Sequence, residues 1–286
     1  MSSILRAEAV AYTYSPGTAY EKKALQDINL EIEQGEFLGI IGHTGSGKST
    51  LITLFNGLEK PTEGKIYFHG QAITEAGFSL RRLRMKVGLV FQYPEHQLFD
   101  IDVLHDVSFG PKNRGLSEEA AMEKAKEACR MVGLDESYDT KSPFELSGGE
   151  KRRVAIAGIL AMEPEVLILD EPTAGLDPAG RTEILDQVKK LHEQGLTIIL
   201  VSHSMEDVAK YADRLLVLRK GKILFHDVPS EVFCHYEELE EANLQAPDIA
   251  YLMNELYKRG LVNSPYAADT DEACRVILDA WKGGGR

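Results

Sequence analysis

Over 10–14 and 25–32 apolar and polar residues alternate as they do in half-buried strands, and Ser15, Pro16 and Gly17 between them supply a turn. The run 37–41 is apolar throughout and ends against glycine, the pattern of a short strand buried on both faces. Helical spacing follows over 48–57, stopped by Gly57 and Pro61. Further strands are predicted at 65–68 and 87–91. Ser117 is placed to cap a helix reaching Val132, with Gly133 as its stop. Helix and strand then alternate over 149–162, 166–169, 178–194, 197–201, 205–212 and 215–218. This order predicts an α/β fold whose mostly parallel sheet is covered on both faces, with the early strands as an antiparallel piece attached to it.

Past Val228 and Pro229 the texture changes. Glu231, Glu237, Glu238, Glu240 and Glu241 crowd one stretch, and 247–260 and 270–282 have amphipathic helical spacing. A small helical appendage is predicted, serving either assembly or packing and solubility. Gly283, Gly284 and Gly285 predict a frayed tail. There is no internal repeat.

The 286 residues suffice for one large domain plus such an appendage, and a hydrophobic share of 43% supports a sizeable core. No apolar run approaches the ~20 residues of a membrane-spanning helix. The first residues lack a basic region followed by an apolar stretch, so no secretory signal is expected. Cys129, Cys234 and Cys274 are odd in number and lack metal-ligand spacing. They are expected to be reduced and to pack as small apolar residues. A net charge of −13 disfavours nucleic acid, which needs a basic footprint, and suits an acidic surface that could dock basic segments of a partner.

The chemistry begins at Gly42, where GHTGSGKST matches the phosphate-binding loop pattern between a strand and a helix. Gly42, Gly45 and Gly47 let the amides of His43, Thr44, Ser46 and their neighbours turn toward phosphate oxygens, and the helix that starts at Lys48 aims its positive end at the same anion. Lys48 should reach the β- and γ-phosphates, and Ser49, followed by Thr50, should ligate Mg²⁺. The strand 166–169 delivers Asp170 and Glu171. Asp170 is expected to hold the Mg²⁺ shell through water, and Glu171 to orient or deprotonate the attacking water. His203 follows the apolar run 197–201, where a phosphate sensor is expected.

Ser147 precedes Asp170 by 23 residues, in LSGGE. With the phosphate loop, VLILDEPT and VSHS in this order, LSGGE resembles the signature of the ABC-type ATPases, and the likeness extends over about 4–228. It implies an ATP-binding domain at 1–229, with an antiparallel β-subdomain and a helical signature subdomain at about 93–163, followed by the appendage at 230–286. It also implies that Ser147, Gly148 and Gly149 contact the γ-phosphate of ATP held by another subunit. Gln92 matches the loop that touches Mg²⁺ and water and senses a transmembrane partner. Asp177, in the segment 174–178, matches a loop that crosses the dimer interface, and His203 the switch histidine. Tyr14 matches the aromatic that stacks on adenine, although Tyr12 shares its strand face and either could simply pack. Ser147 with Glu150 also reads as an ordinary capping box, which is compatible with phosphate contact, and Glu150 is given no catalytic role.

The stretch 91–100, FQYPEHQLFD, with 103–113 after it, resembles the ATPases of energy-coupling factor transporters, of the A-prime type. That implies an ATP-hydrolysing subunit, peripheral on the cytoplasmic face of the cell membrane and using ATP and Mg²⁺. It pairs with a related ATPase, although a homodimer would use the same motifs. The pair drives a transmembrane coupling protein that holds a substrate-capture membrane protein, for uptake of vitamins or transition-metal ions. Glu95, Gln97, Leu98, Phe99 and Asp100 are expected to line the groove that takes the coupling protein's arginine-bearing helices. Three alternatives stand beside this reading: another class of ABC importer, a non-transport ABC ATPase acting on DNA or ribosomes, and a regulatory nucleotide-binding module without turnover. The acidic balance opposes the second, and an intact Glu171 and His203 oppose the third.

Overall fold

The structure, a computed structural model, describes residues 3–283; Gly284 and Gly285 of the tail lie outside them. In chain order the elements are β1 (Ser3–Tyr14), β2 (Lys22–Glu33), β3 (Phe37–Gly42), α1 (Lys48–Phe55), β4 (Glu63–Phe68), β5 (Gln71–Ala72), α2 (Leu80–Lys86), β6 (Val87–Val90), α3 (Val103–Asn113), α4 (Glu118–Met131), α5 (Gly148–Leu160), β7 (Val166–Asp170), α6 (Pro178–Glu193), β8 (Thr197–Val201), α7 (Met205–Tyr211), β9 (Arg214–Arg219), β10 (Lys222–Asp227), α8 (Pro229–Cys234), α9 (Tyr236–Glu241), α10 (Asp248–Lys258) and α11 (Thr270–Gly283).

Two sheets form. The larger has the order β10-β9-β3-β8-β7-β6, and its strands from β9 to β6 run parallel. The smaller is antiparallel in the order β2-β1-β4-β5. Strands β3, β7 and β8 are buried at every position, as expected of a sheet covered on both faces. Within them the period of two still sorts the side chains. Leu167, Leu169, Ile198, Leu200 and Val217 face one core, shared with helices α3 to α8. Val166, Ile168, Ile199, Val201 and Leu216 face the other, shared with α1 and the antiparallel sheet. A one-residue slip in any strand would exchange the two faces.

The expected strands and long helices are present, and Ser117 caps α4 by accepting from the Ala120 amide. The short elements β5, α8 and α9 escaped the pattern, and so did three more. Helix α2 has Leu83 as its one fully buried residue. Helix α3 carries Gly110 and Pro111, which read as breakers, yet Asp102 caps its start and Val103, Val107 and Ser108 are buried. Strand β10 is an edge strand with no fully buried position, so it shows no clear alternation.

The early appendage is continuous with the first core. Val232, Phe233, Leu239, Leu244 and Ala250 are buried there with Tyr211 and Val217. Among the described residues, a separate small core later in the appendage is made by Met253, Val262, Ala267 and Ala273. Phe233 is 1% exposed, whereas Trp281 is 79% exposed. Phe233→Ala is therefore expected to lower unfolding free energy by about 3–5 kcal/mol, and Trp281→Ala to stay within about 0.5 kcal/mol. Denaturant unfolding of both variants checks the contrast.

Candidate active site

The parallel strands end at one edge, where ligands of open α/β sheets bind. Strand β3 runs into the glycine loop. Strand β7 ends on Asp170, paired with Val201 of β8, and the Glu171 amide donates to the Val201 carbonyl at 3.0 Å. Strand β6 pairs Val90 with Leu169, so Gln92, exposed just beyond it, leaves the sheet at the same edge. His203 follows β8. Adjacency in the sheet thus gathers residues far apart in sequence.

In the loop, Gly47 caps α1 at φ 111°, and a Cβ there would lie 2.8 Å from the Ala24 carbonyl and 2.6 Å from Leu25. His43, Thr44 and Gly45 are exposed, while Ser46, Lys48 and Thr50 are buried and Ser49 is exposed. Lys48 Nζ donates to the loop's own Gly42 carbonyl at 2.5 Å, with His43 O at 3.5 Å. Ser46 Oγ is buried without a partner. Tyr14 is half exposed at the end of β1, and its hydroxyl lies 2.9 Å from Thr50 Oγ1 on the first turn of α1. Tyr12 meets it edge-on at 4.8 Å but is buried, with its hydroxyl donating to Glu59.

Burial dominates the electrostatics. It lowers the Lys48 pKa, opposed by the attraction of Glu171 and Asp170. It raises the Asp170 pKa, opposed by a hydrogen bond with Ser49 and by Lys48. It pushes Glu171 up to about 7, against the His203 amide and Lys48, while Asp170 and Asp207 push the same way as burial. Glu171 itself sits at φ 51°, left-handed backbone that few non-glycine residues adopt. Its Oε2 accepts from the His203 amide at 3.3 Å. Its Oε1 lies 3.2 Å from His203 Nε2 but out of hydrogen-bond alignment, and so is a buried acceptor without a partner. Burial, Lys48 and His43 hold the His203 pKa down, so its ring is neutral near pH 7.

The signature segment does not line the cavities beside the glycine loop. Among the described residues, His43 and Thr44 border two cavities, and neither includes Ser147, Gly148 or Gly149. Ser147 caps α5 with Glu150 as its reciprocal partner, so the capping box is real. Hydrogen bonds from Ser147 and Tyr138 hold Glu150 down to about 2. Its charge therefore stabilises the fold above the ordinary carboxylate range and stops doing so as pH falls toward 2. Asp177 is exposed and caps α6 through the Gly180 amide.

The 94–100 turn corrects one expectation. Glu95 faces inward and pairs with Arg152 of α5, which is 2% exposed. Asp100 accepts from the Ile101 amide and does not line the groove. Gln97, Leu98 and Phe99 do line a cavity of about 340 Å³, opposite Phe109, Asn113 and Met162. Its acid is Asp106, which accepts from the amides of Phe99 and Asp100. Arg152 itself was missed. Its spacing to Ile156 and Leu160, both buried, was the available signal, since an arginine on an apolar helix face must find partners.

The family pattern described as ABC transporter matches residues 25–174. The energy-coupling factor transporter ATP-binding protein EcfA2 of Caldanaerobacter subterraneus subsp. tengcongensis is 53% identical over 280 residues, covering 98% of each chain. The protein of the same name from Clostridium acetobutylicum is 55% identical over 276 residues, 96% of each. The chain belongs to the ABC transporter ATPases, in the energy-coupling factor group. Among solved structures, cbiO1 from Clostridium perfringens, part of the ABC transporter complex cbiONQ, superposes with TM-score 0.76 at 42% identity, covering 88% of this chain and 99% of that one. An ATP-binding cassette solved as a dimer after hydrolysis, with ADP and Pi, superposes at 0.70 with 32% identity, covering 79% and 98%. The chain is thus an ATPase of the ABC type.

Because burial favours the neutral carboxyl, a base at Glu171 is ionised only above about pH 7. In the assembled ATPase, kcat/KM is expected to fall as pH drops through about 7, with the slope of one proton. A midpoint in the ordinary carboxylate range would remove Glu171 from that role.

Proposed function

We propose that two ATPs close this chain onto a related ATPase subunit, and that closing and reopening drive a membrane coupling protein. The carrying observation is the division of the phosphate-binding machinery. One chain gathers Lys48, Asp170, Glu171 and His203, while its capped signature helix does not line the cavities beside the glycine loop, which supports its use by a partner's nucleotide. The amides at the α5 start and the helix dipole give that end its affinity for a γ-phosphate. Contacts available only in the closed pair let binding drive closure, and hydrolysis removes them.

Within one site, Lys48 would exchange its loop carbonyls for the β- and γ-phosphates, and Tyr14 would stack on adenine. Ser49 and Asp170 present hydroxyl and carboxylate oxygens, a hard donor set that suits Mg²⁺ completed by phosphate and water. Bound there with Gln92 nearby, Mg²⁺ would neutralise charge on the phosphate oxygens. Glu171, with an unpartnered Oε1, would take the proton of the attacking water. His203, neutral and beside it, would sense the γ-phosphate, and Asp177 would meet the partner across the interface.

The groove lined by Leu98, Phe99 and Phe109 is our docking site for the coupling protein. The energy-coupling factor likeness favours a peripheral seat on the cytoplasmic face beneath other chains; no helix among the described residues is long and apolar enough to cross a membrane. The likeness of 91–113 to energy-coupling factor ATPases favours uptake of vitamins or transition-metal ions, chosen by a separate capture protein.

Glu171→Gln is expected to keep ATP-dependent pairing, seen by light scattering, while hydrolysis falls about 10²–10⁴-fold. An unchanged turnover, or no pairing with ATP, would overturn the clamp. Phe99 and Phe109 are exposed and meet edge-on at 5.0 Å. Removing both rings should weaken capture of the coupling protein by about 2 kcal/mol or more, roughly 30-fold, in a detergent pull-down titration.

A further inference from the structure

The Arg152 guanidinium ties together three segments of the chain. Its Nη2 donates to both Glu95 oxygens, at 2.9 and 3.2 Å, and its Nε reaches Oε2 at 3.4 Å. Its Nη1 donates to the carbonyls of Pro172 and Ala174, at 2.9 and 2.8 Å. All the N–H donors of an arginine are thereby used, in a fork whose angles are fixed. Glu95 belongs to the turn that opens the groove, Arg152 to the signature helix, and Pro172 and Ala174 to the loop between Glu171 and Asp177. The backbone is left-handed immediately upstream of the 94–97 turn, at Tyr93 (φ 57°), and of Pro172, at Glu171 (φ 51°). Such conformations persist only where surrounding contacts hold them.

We propose that Arg152 is a positioning residue that couples the groove to the ATP site, by holding the 94–97 turn, the α5 start and the 172–174 loop as one body. The inference rests on the docking and closure reading above and names the side chain that carries the signal. A load that rotates the groove turn moves Glu95, and the rigid fork passes the displacement to the loop that begins at Glu171. Neither Arg152 nor Glu95 touches nucleotide in this scheme.

Coupling is reciprocal, so it can be read as the factor by which the membrane coupling protein changes the ATPase pair's affinity for a non-hydrolysable ATP analogue. The factor is measured with the intact complex and with the ATPase pair alone, for the parent, Glu95→Gln and Arg152→Lys. Glu95→Gln keeps the side chain's shape and leaves both carbonyl bonds in place, so it decides the matter should Arg152→Lys fail to fold. In the parent the factor is expected at about 5–150. In both variants it should collapse to near one while the affinity of the isolated pair stays at the parent's value, a ratio that a merely structural role would not move. A parent with its full factor and variants that match it would overturn the role of Arg152 alone. A parent whose own factor is one would overturn the coupling reading, and this inference with it.

Discussion

A lysine and two carboxylates lose most of their water together at the end of the parallel sheet, and the rest of the site is arranged around that fact. Alone, each would be driven toward its neutral form. Together, Lys48 is pulled down by burial and held up by Asp170 and Glu171, while Asp170 is held down by Lys48 and the Ser49 hydroxyl. Glu171 has the weakest compensation and rises to about 7. The same desolvation makes the site responsive to the charge of a triphosphate, because each added charge acts in a medium of low polarity.

Local stability and exposed function coexist at the signature helix for a simple reason. The capping box satisfies Ser147 and Glu150 within the chain, and Tyr138 adds a third bond. It leaves the helix dipole and the amides of Gly148 and Gly149 turned outward, so the segment needs no partner to fold. The glycine loop follows the same logic, since Gly47 is demanded by the close approach of Ala24 and Leu25 whether or not phosphate is present. In both places the residue required by the fold is also one that the proposed phosphate contacts use.

Arg152 follows a different economy. A buried ion pair is weak evidence for stability, because desolvation offsets much of its attraction. What it supplies is geometry: a planar fork with every donor engaged allows one arrangement of three segments. An apolar side chain could fill the same space, but it could not fix their relative angle.

Much of this was legible from residues alone. Apolar runs predicted the strands, caps and glycine stops predicted the long helices, and motif spacing pointed to the phosphate loop, Asp170, Glu171 and His203 before any geometry was known. These are properties of short segments, set by backbone sterics, side-chain periodicity and the chemistry of neighbouring residues. Helices α2 and α3 and strand β10 were missed because their few buried positions depend on what packs against them. Glu95 was assigned to the groove because sequence gives an acid's presence but not its direction. Which face of a strand meets which core, where Glu95 points and why Arg152 is buried were decided only by the tertiary structure, because each depends on partners brought close by sheet order rather than by position along the chain.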